Sequence, residues 1–313
     1  LGIAVGCSGT SPTQACTDLA NAVCTELQTC TPSVFNDAYG DMTTCVSQTT
    51  TTCENGLALT NTGDTASGAE QCSKAYPMLS CTDFLENNPP AACGHPSPGK
   101  VADGSACGTG GQCVSGVCQI NSMTGCGTCI EPVAAGQACK STTDCTSGLV
   151  CAPMSASASV CVAPVAMGAA CSLTAPVVPC QSDLLCSMGK CVAPLAAGDA
   201  CSPTASLCDT QMGYFCTPHG TRCQQILYAT TGMPCGYDKT SGNLTVCSGS
   251  GFCSNVSTMT GLGTCEAPAA VGAACDEAKG PLCLPPAYCN LTANQADGGT
   301  AGTCTQVNPS TCH

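Results

Sequence analysis

Cysteine recurs along this chain in a repeating group of four, and that recurrence limits the fold more than any other feature. Thirty-five of the 313 residues are cysteine. A reducing cytosol does not sustain that density, and neither a metal site nor a redox site needs it. The chain is therefore expected to be secreted, in the extracellular space or on a cell surface. Its expected architecture is a disulfide-rich repeat array of small modules built on short β-hairpins, preceded by a small disulfide-linked α-helical domain.

The array follows Pro96-Ser97-Pro98-Gly99 and occupies residues 99–313. Six units open at Cys107, Cys139, Cys171, Cys201, Cys235 and Cys275, each with a glycine three residues earlier (Gly104, Gly136, Gly168, Gly198, Gly232, Gly272). The second and third cysteines of each unit are Cys113/Cys118, Cys145/Cys151, Cys180/Cys186, Cys208/Cys216, Cys247/Cys253 and Cys283/Cys289. The units close at Cys129, Cys161, Cys191, Cys223, Cys265 and Cys304, which gives modules spanning 104–132, 133–164, 165–194, 195–226, 227–268 and 269–313. A self-similar period of about 30–40 residues marks an array. Segments such as Cys145-Thr-Ser-Gly-Leu-Val-Cys151 combine a turn with an apolar end, so a hairpin is expected between the second and third cysteines. Of the three pairings open to four cysteines, we favour two crossing disulfides, first to third and second to fourth. The links repeat as well: Cys161-Val-Ala-Pro-Val-Ala-Met-Gly-Ala-Ala-Cys171 and Cys191-Val-Ala-Pro-Leu-Ala-Ala-Gly-Asp-Ala-Cys201 place Pro and Gly alike. A fixed φ at proline and a permissive glycine suit neighbours that lean on one another as a rod or arc. The link from Cys223 to Cys235 is longer, lacks the proline and is expected to bend.

Residues 11–98 read differently. Ser11-Pro12-Thr13-Gln14 is a helix start with a serine cap and proline in the first turn. Cys16, Leu19, Val23, Leu27 and Cys30 then form an apolar stripe at helical spacing. Phe35, Tyr39, Met42 and Cys45 continue that spacing across Gly40, and capping boxes are read at Ser67 to Glu70 and Ser80 to Asp83. Eight cysteines (Cys16, Cys24, Cys30, Cys45, Cys53, Cys72, Cys81, Cys93) are enough for four bridges, whose pairing the sequence does not reveal. Residues 1–10 form an apolar N-terminal segment. Beginning with Leu1, it implies a processed end and admits two main readings: a strand that docks on a neighbouring element or subunit, or the end of a lipoprotein signal with a lipid anchor at Cys7. Cys7, Cys126 and Cys312 fall outside both cysteine sets. An odd total leaves one thiol over, and Cys7 is the first candidate for an odd or intermolecular thiol. Cys126 and Cys312 can meet only if the array folds back.

Composition agrees with a stapled scaffold. Tryptophan is absent and only four phenylalanines and six tyrosines are present, whereas aromatic side chains dominate most cores. Disulfides, each contributing about 2–4 kcal/mol, must offset ordering the backbone. Charge is sparse: seven Lys or Arg against twenty Asp or Glu, for a net of −13. The basic residues are scattered singly, which disfavours nucleic acid and anionic membrane surfaces as partners. No apolar run is long enough for a membrane span. A neutral surface of Ser, Thr, Ala and Gly suits packing against copies of the same chain.

The run Asp144-Cys145-Thr-Ser-Gly-Leu-Val-Cys151, with its preceding Gly-x-x-Cys, resembles the Dickkopf N-terminal cysteine-rich and related EB-type modules. Together with the head stretches Ala15-Cys16-Thr-Asp-Leu-Ala-Asn-Ala-Val-Cys24 and Phe35-Asn-Asp-Ala-Tyr-Gly-Asp41, the whole chain resembles the secreted or surface cysteine-rich proteins of the myxobacterial type. That resemblance implies a helical head followed by such modules and brings no catalytic residues.

No reaction is written in the sequence. His95, His219 and His313 lie far from one another and from any metal-ligand spacing, and the lone Cys126-Gly-Thr-Cys129 lacks a second pair. Asp276-Glu277 is read as a solvated turn. No catalytic, cofactor or metal residues are expected, and the chain is not expected to be an enzyme. Asn243-Leu-Thr, Asn255-Val-Ser and Asn290-Leu-Thr match the glycosylation sequon, and Thr49 to Thr52 offer hydroxyls for sugars, so glycan modification depends on the source. Two functions are compatible: a structural, self-assembling subunit of a filament, sheath or matrix, and a surface adhesin or ligand-binding protein.

Overall fold

A computed structural model describes residues 10–86, 88–94, 98–121, 126–202, 207–217, 221–284, 287–291, 300–306 and 309–312. The apolar segment and Cys7 lie outside these residues, as do all three histidines. The head is helical and the rest is an array of short strand pairs, so the chain is a disulfide-rich small-module array behind a helical domain.

Five α-helices build the head: α1 (Pro12–Cys30), α2 (Pro32–Ala38), α3 (Met42–Leu57), α4 (Ala66–Ala75) and α5 (Cys81–Leu85). Ser11 caps α1 by accepting from the Gln14 N–H at 3.2 Å, while the Gln14 amide reaches forward to Asp18 at 2.8 Å instead of back to the cap. The buried stripe of α1 is Ala15, Cys16, Ala20, Cys24 and Cys30. Leu19, Val23 and Leu27 flank it half-buried. Small residues take the centre because the disulfides draw α1 close to its neighbours. The spacing across Gly40 belongs to two helices. Gly40 turns with φ +75°, and Asp41 then caps α3, accepting from the Thr44 N–H at 2.8 Å. Those bonds with Thr44 hold the Asp41 carboxyl below its ordinary value. Thr65, not Ser67, caps α4, and Ser80 caps α5 as read. Phe35 is buried between the Cys24–Cys45 bridge and Leu27, Tyr39, Met42 and Val46.

The array repeats one backbone scheme six times. The residue six places before each first cysteine (Val101, Val133, Val165, Leu195, Ala229, Ala269) pairs in parallel with the second cysteine. A unit thus starts at that residue, at Val101 in the first and Ala229 in the fifth. The link glycine follows with φ between +80° and +85° in all six units. It occupies the third position of a turn closed by a hydrogen bond such as Ser105 N–H to Ala102 O, 3.1 Å. That is the type II position, where a side chain clashes and glycine does not. The glycine N–H donates to the closing cysteine's carbonyl, and the closing cysteine's N–H donates to the residue after the glycine, as in Gly168 to Cys191 and Cys191 to Ala169.

The hairpin lies elsewhere than the spacing predicts. Strands pair the third cysteine with the fourth: Cys118 with Cys129, Cys151 with Cys161, Cys186 with Cys191, Cys216 with Cys223, Cys253 with Cys265 and Cys289 with Cys304. Between the second and third cysteines there is only a turn, because the second is already committed to its parallel bridge. The Cys223 to Cys235 link carries a strand, Leu227–Ala229, which extends that bridge and joins the sheet of the fifth unit.

The array does not run straight. Cys126 of the first unit is bonded to Cys312 at the far end, 186 residues away, so the six units close around the head.

Candidate functional site

Chemistry-bearing side chains gather at three places: the sulfur cores of the units, the seam between head and array, and a cavity where the head meets the first unit.

In every unit the first cysteine is bonded to the third and the second to the fourth, from Cys107–Cys118 and Cys113–Cys129 to Cys275–Cys289 and Cys283–Cys304. The strand register explains why both bridges form on one side. Directly opposed residues of an antiparallel pair project to the same face, so the third and fourth sulfurs emerge together and meet the first and second. The result resembles a metal centre in outline, with three sulfurs within 4.8 Å in several units. A sulfur already in a disulfide is not a thiolate ligand, however. The sulfurs are instead the core. In the first unit the buried cluster is four half-cystines with Val101 against them. In the last it is Cys275 and Cys304 with Ala269 and Ala287. The head nests Cys24–Cys45 inside Cys16–Cys53, crosses both with Cys30–Cys81, and crosses that in turn with Cys72–Cys93. The Cys126/Cys129 motif is split between two bridges, Cys126–Cys312 and Cys113–Cys129. Seventeen disulfides thus take thirty-four cysteines, and Cys7 is the one left over.

The seam has a period that sequence reading missed. The residue two places after the second cysteine faces the head in four consecutive units. Ser147 Oγ donates to Asn88 Oδ1 at 2.9 Å, and the Ser182 N–H donates to Glu86 Oε1 at 3.4 Å. Ser33 Oγ donates to Thr210 O at 2.6 Å, and the Gly249 N–H donates to Asn36 O at 2.9 Å. In the first unit, neighbouring positions do the same work: Gly63 N–H to Gly111 O at 2.7 Å and Gln112 Nε2 to Thr60 O at 3.0 Å. The link glycines point the other way, since a Cβ added at any of the six would meet nothing within 4 Å. Small or hydroxylic residues at that inward position were the available signal, but only a bound head gives them meaning. At this seam burial holds the Asp37 carboxyl above its ordinary value. Burial first and the nearby Asp37 charge second push the Tyr228 hydroxyl up.

Asp144 fastens the first unit to the second. Its side chain is fully buried and accepts from Lys140 N–H at 2.9 Å, Ser141 N–H at 3.0 Å, Ser141 Oγ at 3.0 Å and Gln119 Nε2 at 2.9 Å. Burial alone would raise its pKa, but these four bonds outweigh it and hold the carboxyl below its ordinary value. Gln112 occupies the matching place in the first unit and accepts from the Gly108 N–H at 2.8 Å.

The cavity, about 290 Å³, is lined by Leu19, Leu57, Gly68 and Ala69, with Asp64 and Thr109 among its polar groups. The buried Thr109 hydroxyl has no hydrogen-bond partner among the described residues. A floor whose polar groups are the Asp64 carboxylate and the hydroxyls of Thr52, Thr65 and Thr109 can seat a small ligand. Asp276 is engaged by Thr300 Oγ1 at 2.5 Å, Ala278 N–H at 2.9 Å and Lys279 N–H at 3.0 Å. Those bonds, the Thr300 one first, lower its pKa. Asn243, Asn255 and Asn290 are exposed. Thr51 and Thr52 donate their hydroxyls to Ser47 O and Gln48 O within α3. No helix among the described residues is long and apolar enough to cross a membrane.

No family model, curated protein or solved structure matches the chain. The resemblance to Dickkopf-type modules and to myxobacterial cysteine-rich proteins therefore rests on cysteine spacing and the head motifs. Seventeen disulfides are compatible with an extracellular, oxidising setting.

Proposed function

We propose that this protein is a secreted structural subunit that assembles with copies of itself into an extracellular filament, sheath or matrix. The supporting observation is its surface. Met188 is fully exposed, Met78 and Met259 are 88% and 86% exposed, and Leu173 is 76% exposed. These large apolar side chains lie on the head (Met78), the third unit (Leu173, Met188) and the fifth (Met259) of a chain with only seven Lys or Arg. Burial against another surface returns about 1.5–3 kcal/mol for each such side chain fully covered. Units locked by two bridges each present that surface with the backbone already ordered, so only side-chain freedom is lost on docking. The apolar residues Leu1, Ile3, Ala4 and Val5 are the segment best suited to docking on a second copy.

Electron microscopy and sedimentation of native material test the reading. Polymers are expected from the full chain and monomers after deletion of Leu1–Gly6. Polymers that survive the deletion reject the docking segment, whereas monodisperse monomers at every concentration of the full chain reject assembly. The cavity favours a second reading, a cell-surface ligand-binding protein. A monodisperse monomer that retains a small ligand or glycan on purification would establish it.

A further inference from the structure

We propose that the Cys126–Cys312 bridge is a redox-openable clasp that sets whether the array is a closed ring or an open arc. Every other disulfide stays inside the head or inside one unit, with separations from 11 to 51 residues, against 186 for this bridge. Among the described disulfides it alone joins one unit to another. The difference governs how each bridge responds to a reductant. Inside a unit, opening one bridge leaves its sulfurs held together by the crossing bridge and by strand pairing, as at Cys186 opposite Cys191. The effective concentration for re-closure is then high, because little loop entropy is regained. The second-to-fourth bridge of each unit is also shielded at its closing cysteine, with Cys129, Cys161 and Cys191 fully buried and Cys223, Cys265 and Cys304 nearly so. First-to-third bridges such as Cys139–Cys151 are half-buried and are guarded by the crossing bridge and the strand pairing instead.

At the clasp no crossing bridge holds the pair. Cys312 follows a single 3-10 turn, Pro309–Thr311, and although Cys312 itself is buried, Cys126 is half-buried and open to attack from one side. The reaction is thiol–disulfide exchange with a dithiol. A thiolate of the dithiol attacks the Cys126 sulfur, the S–S bond breaks, and Cys312 leaves as a thiolate that takes up a proton. The second thiolate of the dithiol then displaces Cys126, so the clasp gains two electrons and two protons and the dithiol becomes a disulfide. The sixth unit parts from the first, while the hydrogen bonds that fix units one to five on the head stay in place.

Graded reduction of the full chain with dithiothreitol tests the clasp, after any free thiol has been capped. Released thiols are alkylated and mapped by mass spectrometry, and small-angle scattering follows the size. Alkylation of Cys126 and Cys312 is expected at reductant concentrations at least tenfold below those that open any unit bridge. The radius of gyration should rise while the helical circular dichroism is unchanged. The double variant Cys126→Ser/Cys312→Ser should have that larger radius without reductant. Opening of the clasp together with or after the unit bridges overturns the proposal, as does a double variant with the closed radius. If the variant fails to fold, the graded reduction of the unaltered chain still decides.

Discussion

The head and the array use the same cross-link on opposite terms. In the head, disulfides tie together helices that already have caps, an apolar stripe and a buried Phe35, so sulfur supplements a core. In the array, the half-cystines are the core, with a valine or an alanine or two beside them. The lesson concerns cooperativity. A helical domain spreads the loss of one bridge over shared packing, whereas a unit of about 30–40 residues has nothing else to share it with.

Complete reduction should separate the two regions most. With two bridges per unit and about 3 kcal/mol for each short loop, the array should lose all amide protection at once. The capped helices of the head should keep part of their circular dichroism, because local hydrogen bonds and capping do not need sulfur. Hydrogen exchange of the reduced, alkylated chain checks this; protected amides surviving in the array would break the contrast. Removing single bridges sharpens it. Cys180→Ala/Cys191→Ala should weaken the amide protection of the third unit alone, by about 3 kcal/mol, with Cys171–Cys186 still holding it together, and leave the helical melting temperature in place. Cys24→Ala/Cys45→Ala should destabilise all five helices together by about 3 kcal/mol, read as one shifted helical transition.

How much could be read beforehand divides along the same line. The unit pairing was accessible because six copies of one spacing had to satisfy one geometry. The head's pairing was not, since Cys30 reaches Cys81 across three intervening helices and no repeat constrains it. The hairpin was misplaced because the four to seven residues between the second and third cysteines look like a hairpin, while strand pairing depends on register. Lys190 opposite Ser187 carries no signature of its own. The seam escaped notice because Ser147, Ser182, Thr210 and Gly249 are chemically ordinary and acquire a role only when the head stands opposite. Ring closure depended on where the first and sixth units meet in space, which spacing does not encode.

Asp144 offers a smaller test inside the array. Asp144→Ala leaves two N–H groups and the Gln119 amide without an acceptor, at a cost of about 1–3 kcal/mol, and should loosen the joint of the first and second units without touching the helices. The pH dependence follows from its lowered pKa. The folded value lies below the ordinary 3.8, so the unfolded chain binds the proton more readily. This stabilisation is complete above the unfolded value and is lost as pH falls through the folded one. Asp37 on the head side of the seam has the opposite sign, because burial raises its pKa above the ordinary 3.8. Its contribution favours folding at low pH and declines as pH rises through the unfolded and then the folded value. Asp144→Ala should therefore flatten the acid limb of the melting temperature below about pH 4, and Asp37→Asn should raise the melting temperature at neutral pH. Melting curves from pH 3 to 7 that leave both limbs unchanged would show that neither carboxyl matters to its joint.

The smallest predicted effect is also the most direct test of the two regions, because one substitution should change sign between them. Gly56 lies in α3 with ordinary helical backbone and open space around the missing Cβ. Alanine there should stabilise the head by about 0.5–1 kcal/mol, since glycine loses more conformational freedom than alanine on entering a helix. Gly168 has the same open space but a φ of +80°. Nothing blocks the new methyl group sterically from outside, so the whole cost is the backbone's own, about 1–2 kcal/mol for an L-residue held in the left-handed region. Chemical denaturation read by helical circular dichroism for Gly56→Ala, and by exchange of the third unit's amides for Gly168→Ala, measures each where it acts. A stabilising Gly168→Ala would mean that the link turn relaxes, and that the repeat is set by sulfur alone rather than by sulfur and glycine together.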